Sequence, residues 1–216
     1  MSEAAPTPQS LTPQSSLREL LGGTKEPEFE LRLLPGWERH SPGEADRSAM
    51  DAALKKRFMS INRPELHASM RAQLDQAYAL MKQQQVKAYF AATAETDNLA
   101  IIPGAIVATT FNAHSGGTLD THVAAIIRDH GAKPLFGDRR FIRYERESTK
   151  TAEGDEPVIA TTIGYMTPVP GSKRRRGLQL TATIARPLDM AATDEKFLSW
   201  KLALDVCVST LRWVPA

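Results

Sequence analysis

Cysteine is all but absent: Cys207 is the only one in 216 residues. A lone thiol forms no internal disulfide and supports no multi-cysteine zinc site. Charge of one sign is also missing, since 27 Lys and Arg face 25 Asp and Glu. That near balance argues against a dedicated nucleic-acid binder, which carries a strongly basic domain. No stretch approaches the about 20 apolar residues that a membrane-spanning helix needs. The N-terminal residues Met1 to Pro6 have no basic start, no apolar stretch and no lipidation cysteine, so the expected location is cytoplasmic.

Catalytic signatures are missing too. Neither GxSxG nor HExxH occurs, no strand-GxGxxG-helix pattern exists, and no Asp/Glu pair stands out as an acid/base couple. His114, His122 and His130 recur at steps of eight. That step separates His122 and His130 by more than about 11 Å along a helix, too far to share one ion. No metal, no cofactor and no enzymatic activity are therefore expected. Cys207 lies in an apolar stretch and reads as a small buried hydrophobe.

What is present is a set of packing signals. Residues 1–26 hold Pro6, Pro8 and Pro13 among Ser, Thr and Gln and read as a flexible tail, with residues 27–216 as a single domain. Phe29, Leu31 and Leu33 alternate with Glu30 and Arg32, predicting a strand over about Glu28 to Leu34 that Pro35-Gly36 ends. Ser41 with Glu44, and Asn62 with Glu65, have capping-box spacing and predict two successive helices over 44–85. Met50, Ala53, Leu54 and Phe58 form the apolar stripe of the first, and Leu66, Met70, Leu74, Ala77, Tyr78 and Met81 that of the second.

Val86 to Thr93 and Leu99 to Phe111 read as strands joined by a turn at 95–98; Pro103 marks an edge strand, a bulge or a late strand start. A helix over Thr118 to His130, closed by Gly131, precedes a short piece at Leu135-Phe136 and a turn at Gly137-Asp138. Phe141 to Glu147, Val158 to Met166 and Gly177 to Ala185 alternate as strands, the last two as a hairpin. A final helix, Phe197 to Val214, is apolar except for one narrow stripe of Lys201, Asp205, Ser209 and Arg212, with Thr193 or Asp194 at its start. Short turns between consecutive strands imply antiparallel neighbours. The expected fold class is α+β: a mostly antiparallel sheet of about six or seven strands packed with helices, the C-terminal helix buried on the sheet.

Two segments are candidate sites. His114, Ser115, Gly116, Gly117 and Thr118 precede a helix, where backbone N–H groups favour an anion, although a plain glycine loop explains them as well. Lys173, Arg174, Arg175 and Arg176 form the one local charge run and suit a protein partner, while charge at a hairpin connection also guards a sheet edge. The alternating Arg143, Glu145, Arg146 and Glu147 read as cross-strand ion pairs on a solvated face.

Leu33-Leu34-Pro35-Gly36-Trp37 at one end and Asp205 to Trp213 at the other resemble the Mog1/PsbP-like α/β sandwich, within it the actinobacterial LpqN-type proteins. The resemblance implies a non-enzymatic scaffold that binds another protein or helps its assembly, and offers no catalytic residues. The leading expectation is a cytoplasmic partner-binding or adaptor protein serving secretion or envelope assembly. The alternatives are a small-ligand binder or enzyme using the 114–118 loop, and a structural homo-oligomer.

Overall fold

The computed structural model describes residues 27–92, 102–113, 117–150 and 157–215. The elements run β1 (Glu28–Glu30), β2 (Trp37–His40), α1 (Glu44–Ser60), α2 (Pro64–Gln83), β3 (Val86–Ala92), β4 (Gly104–Asn112), α3 (Leu119–His130), β5 (Lys133–Leu135), β6 (Asp138–Lys150), β7 (Val158–Pro168), β8 (Arg176–Pro187), α4 (Glu195–Ser209) and β9 (Arg212–Val214). The turn expected at 95–98 and the tail 1–26 lie outside the described residues.

Seven strands form one antiparallel sheet in the order β2-β3-β4-β8-β7-β6-β5, and β1 pairs with β9 in a separate two-stranded ribbon. The fold is α+β, as the short turns imply. The hairpin β7–β8 is the longest pairing, running from Val158↔Pro187 to Pro168↔Gly177. Gly164 lies opposite Tyr144, whose ring fills the space a Cβ would need. The cross-strand pair thus requires glycine at that position.

The alternation in β8 sorts the two faces. Leu178, Leu180, Ala182 and Ile184 are buried against α4, together with Ile106 and Ala108 of β4 and Ile163 and Tyr165 of β7. Helix α4 contributes Phe197, Trp200, Leu204, Cys207 and Val208 to this core. Its start is fixed by Asp194, whose carboxylate accepts from the backbone N–H groups of Lys196 and Phe197. On the opposite face α3 lays Leu119 and Ile126 on Tyr144 and Met166. Gly131, at φ 61°, closes that helix in the left-handed region.

Several expectations need correction. The first strand stops at Glu30, and a second strand starts at Trp37, directly after the Pro35-Gly36 turn. Trp37 is the one buried residue of β2, so pairing with β3 rather than apolar alternation makes it a strand. Ser41 and Asn62 do not cap: the N-cap positions are Gly43 and Arg63, without side-chain capping bonds, and Pro64 opens α2. The apolar stripe of α1 is not buried at any position, and α2 buries Tyr78 alone. Pro103 precedes the late start of β4 at Gly104.

The last helix ends at Ser209, not at Val214. The Thr210 hydroxyl donates to the Cys207 carbonyl and accepts from the Arg32 backbone N–H at 2.8 Å. The chain then extends as β9 beside β1, with Trp213 opposite Phe29 and their rings edge-on at 6.3 Å.

Two members of the narrow polar stripe, Lys201 and Asp205, face the sheet. Asp205 accepts from Arg143 Nε at 2.8 Å and from the Tyr165 hydroxyl at 2.6 Å, and Lys201 Nζ donates to Glu145 at 3.1 Å. Arg143 also donates to Glu145 at 3.0 Å. Arg143 and Glu145 of β6 therefore meet Lys201 and Asp205 of α4 in a half-buried seam, while Arg146 and Glu147 are exposed as the solvated-face reading expects. Burial disfavours the charged Glu145 carboxylate, but the bonds from Lys201 and Arg143 outweigh it and leave its pKa lowered. Burial likewise opposes the Arg143 charge, and Asp205 and Glu145 more than compensate. Cys207 is buried as expected, and desolvation pushes its thiol up to about 11.

Candidate functional site

The sheet order brings together loops that are far apart in sequence. The β7–β8 connection turns through Pro170, Gly171 and Ser172, and the Ser172 hydroxyl donates to the Val169 carbonyl at 2.6 Å and the Arg176 carbonyl at 3.3 Å. Lys173 and Arg174 follow with φ of 49° and 56°, a conformation that costs a non-glycine residue about 1 kcal/mol or more. The turn is held there from outside. The backbone N–H of Leu119 donates to the Arg174 carbonyl at 2.8 Å, and that of Ala113 to the Arg175 carbonyl at 2.8 Å.

These two bonds flank the 114–118 loop, so the two segments singled out in the sequence are neighbours. His114, Ser115 and Gly116 lie outside the described residues. Thr118 is the N-cap of α3 in extended conformation without a side-chain cap, and Gly117 precedes it. The first N–H of α3 is satisfied by Arg174, and Arg174 also pairs with Asp120 in its first turn. The basic turn thus occupies part of the helix start that an anion would use. Arg176 begins β8, paired opposite Asn112, while Lys173, Arg174 and Arg175 are exposed.

Beside this turn opens a cleft of about 430 Å³, within the usual range of ligand-sized clefts. Its apolar lining is Phe141, Val169, Leu211 and Trp213, with Pro168 and Pro170. Arg140, Lys173 and Arg174 supply its charge, and among the described residues no carboxylate contributes to the lining. Arg140 pairs with Asp138 at 2.6 Å; that bond lowers the Asp138 pKa and raises that of Arg140. Lys173 has no ion-pair partner among the described residues.

Of the sequence candidates, Lys173 and Arg174 therefore line the cleft, whereas Arg175 and Arg176 do not. Arg140, Phe141, Val169, Leu211 and Trp213 were missed. Trp213 carried a signal, its bulk in a chain with three tryptophans, but a helical reading of 197–214 placed it on the wrong element. Such a cleft can hold negative charge beside apolar bulk. Among the described residues no group of three or more His, Cys, Asp or Glu is arranged to hold a metal, and no helix is long and apolar enough to cross a membrane.

No protein-family model matches this chain, and no curated protein matches it.

Proposed function

We propose that this protein is a non-enzymatic, cytoplasmic partner-binding or adaptor protein whose contact surface is the basic turn and the cleft beside it. The cleft carries the reading: three cationic side chains share its lining with apolar groups that include Trp213 and Leu211. Desolvated aromatic and Arg side chains are the groups that dominate binding energy at protein interfaces. The lining supplies positive charge, hydrogen-bond donors and apolar area, which are the means of recognition. The resemblance to Mog1/PsbP-like proteins of the LpqN type points to the same class of role, assisting other proteins in secretion or envelope assembly.

Native affinity capture tests this reading when wild-type protein is compared with the Lys173→Glu/Arg174→Glu double variant. The expected outcome is a stoichiometric partner on wild type that is lost on the double variant. Recovery of no stoichiometric partner by wild type overturns the reading.

A second reading, a homo-oligomer, is favoured by one observation. Leu198, Leu202 and Val206 lie on the outer face of α4 and are 45%, 54% and 48% exposed. Light scattering distinguishes the two: a concentration-independent monomer mass removes the oligomer.

A further inference from the structure

We propose that the cleft takes an extended, acidic and apolar peptide segment, added alongside the edge of β9; this rests on the partner-binding reading above. Three observations converge on that occupant.

The first is charge. Among the described residues the cleft presents Arg140, Lys173 and Arg174 and no carboxylate. Arg140 and Arg174 are already paired with Asp138 and Asp120, but these pairs are exposed. Exposed ion pairs contribute little net stability, so exchanging them for an incoming carboxylate costs little. A single compact anion would meet one unpaired cation, Lys173. A segment with spaced carboxylates reaches all three.

The second is the apolar lining. Phe141, Val169, Leu211 and Trp213 offer apolar area that a hydrophilic anion leaves unused. Leucine or aromatic side chains between the carboxylates would cover it, adding roughly 25 cal/mol per Å² removed from water before ordering costs.

The third is backbone. Strand β7 pairs with β6 only as far as Met166↔Ile142, while its pairing with β8 continues through Thr167 and Pro168. That tip offers no edge of its own, because Thr167 is buried and Pro168 carries no N–H, which leaves β9 as the edge at the cleft. Strand β9 has β1 as its one neighbour among the described residues. Both Thr167-Pro168 and Trp213 line the cleft. Exposed strand edges pair readily with an added strand, and alternate side chains of that strand point to opposite sides. A Glu/Leu alternation would thus present carboxylates to one side and apolar groups to the other.

The test uses the full chain and three fluorescein-labelled, end-capped hexapeptides: alternating Glu and Leu, the same with Lys for Glu, and the same with Ser for Leu. Anisotropy titrations at low salt give affinities, and amide shift mapping locates the site. The Glu/Leu peptide should bind at least about tenfold tighter than either control. Its shifts should concentrate at residues 167–174 and 211–213. Lys173→Glu and Arg140→Glu, both at exposed side chains, should each weaken binding severalfold, as should added salt.

Equal binding of the Lys peptide, equal binding of the Ser peptide, no binding by any peptide, or shifts elsewhere would each overturn the proposal. If one of these occurs while the captured partner still depends on Lys173 and Arg174, the partner-binding reading stands and the extended acidic segment falls.

Discussion

Helices α1 and α4 are close in length, 17 and 15 residues, yet they do opposite jobs. Helix α4 buries five side chains in the main core, and α1 buries none. Polar bonds tie the hairpin of α1 and α2, with Arg47 on Asp75 at 2.6 Å and His67 on Asp51 at 3.1 Å, and its apolar stripes are at most half-buried apart from Tyr78. It meets the sheet mainly at Tyr78, whose hydroxyl lies 2.7 Å from that of Tyr89. An apolar stripe at helical spacing therefore shows that a helix can be amphipathic, not how much of it is covered. Stability should concentrate at α4, and local opening should concentrate in the α1–α2 hairpin.

The sharpest way to break that contrast is a matched pair of truncations. Phe197→Ala should cost about 3–5 kcal/mol by urea unfolding, because the side chain is fully buried, whereas Leu54→Ala in α1 should cost under about 1 kcal/mol. Equal losses would refute the contrast. Next in size, Asp205→Ala strips Arg143 and Tyr165 of a shared acceptor and should cost about 2–3 kcal/mol. Tyr78→Phe should cost about 1 kcal/mol and speed amide exchange in α1 and α2 more than in α4.

The smallest effect is a pH dependence on the α3 face. His122 stacks on Phe111 at 4.0 Å, and burial holds its pKa below the ordinary 6.5. Below that value the unfolded chain binds a proton that the folded chain resists. Stability should therefore fall as pH drops through about 6.5 toward the lower folded value, and not above it. Comparing urea midpoints of wild type and His122→Phe across that window checks this; an unchanged slope would remove His122 as the cause.

Much of the fold was legible because it rests on local chemistry. The strict alternation of Leu178 to Ile184, the hairpin of β7 with β8 and the Gly131 stop appear where residue types require them, and of the two candidate caps, Thr193 and Asp194, it is Asp194 that caps. What failed depended on distant partners. The Trp37-Glu38-Arg39-His40 stretch has no strand pattern of its own and extends because β3 lies beside it. Leu211, Trp213 and Val214 suit helix or strand equally, and the Thr210 bond to Arg32 decides the matter from the other end of the chain. Lys173 and Arg174 were visible as a charge run. Their cleft was not, since Arg140, Val169 and Trp213 become neighbours only through the sheet order.

The pairing of β1 with β9 has a consequence for the order of assembly. During synthesis Phe29 emerges long before its partner Trp213, and nearly the whole sheet is made in the interval. Strand β1 must stay unmatched until β9 leaves the ribosome, so the ribbon forms after the sheet and is not a nucleus. Trp213 belongs both to that ribbon and to the cleft lining. A nascent chain would therefore have no finished cleft until Trp213 has been made and has paired with Phe29.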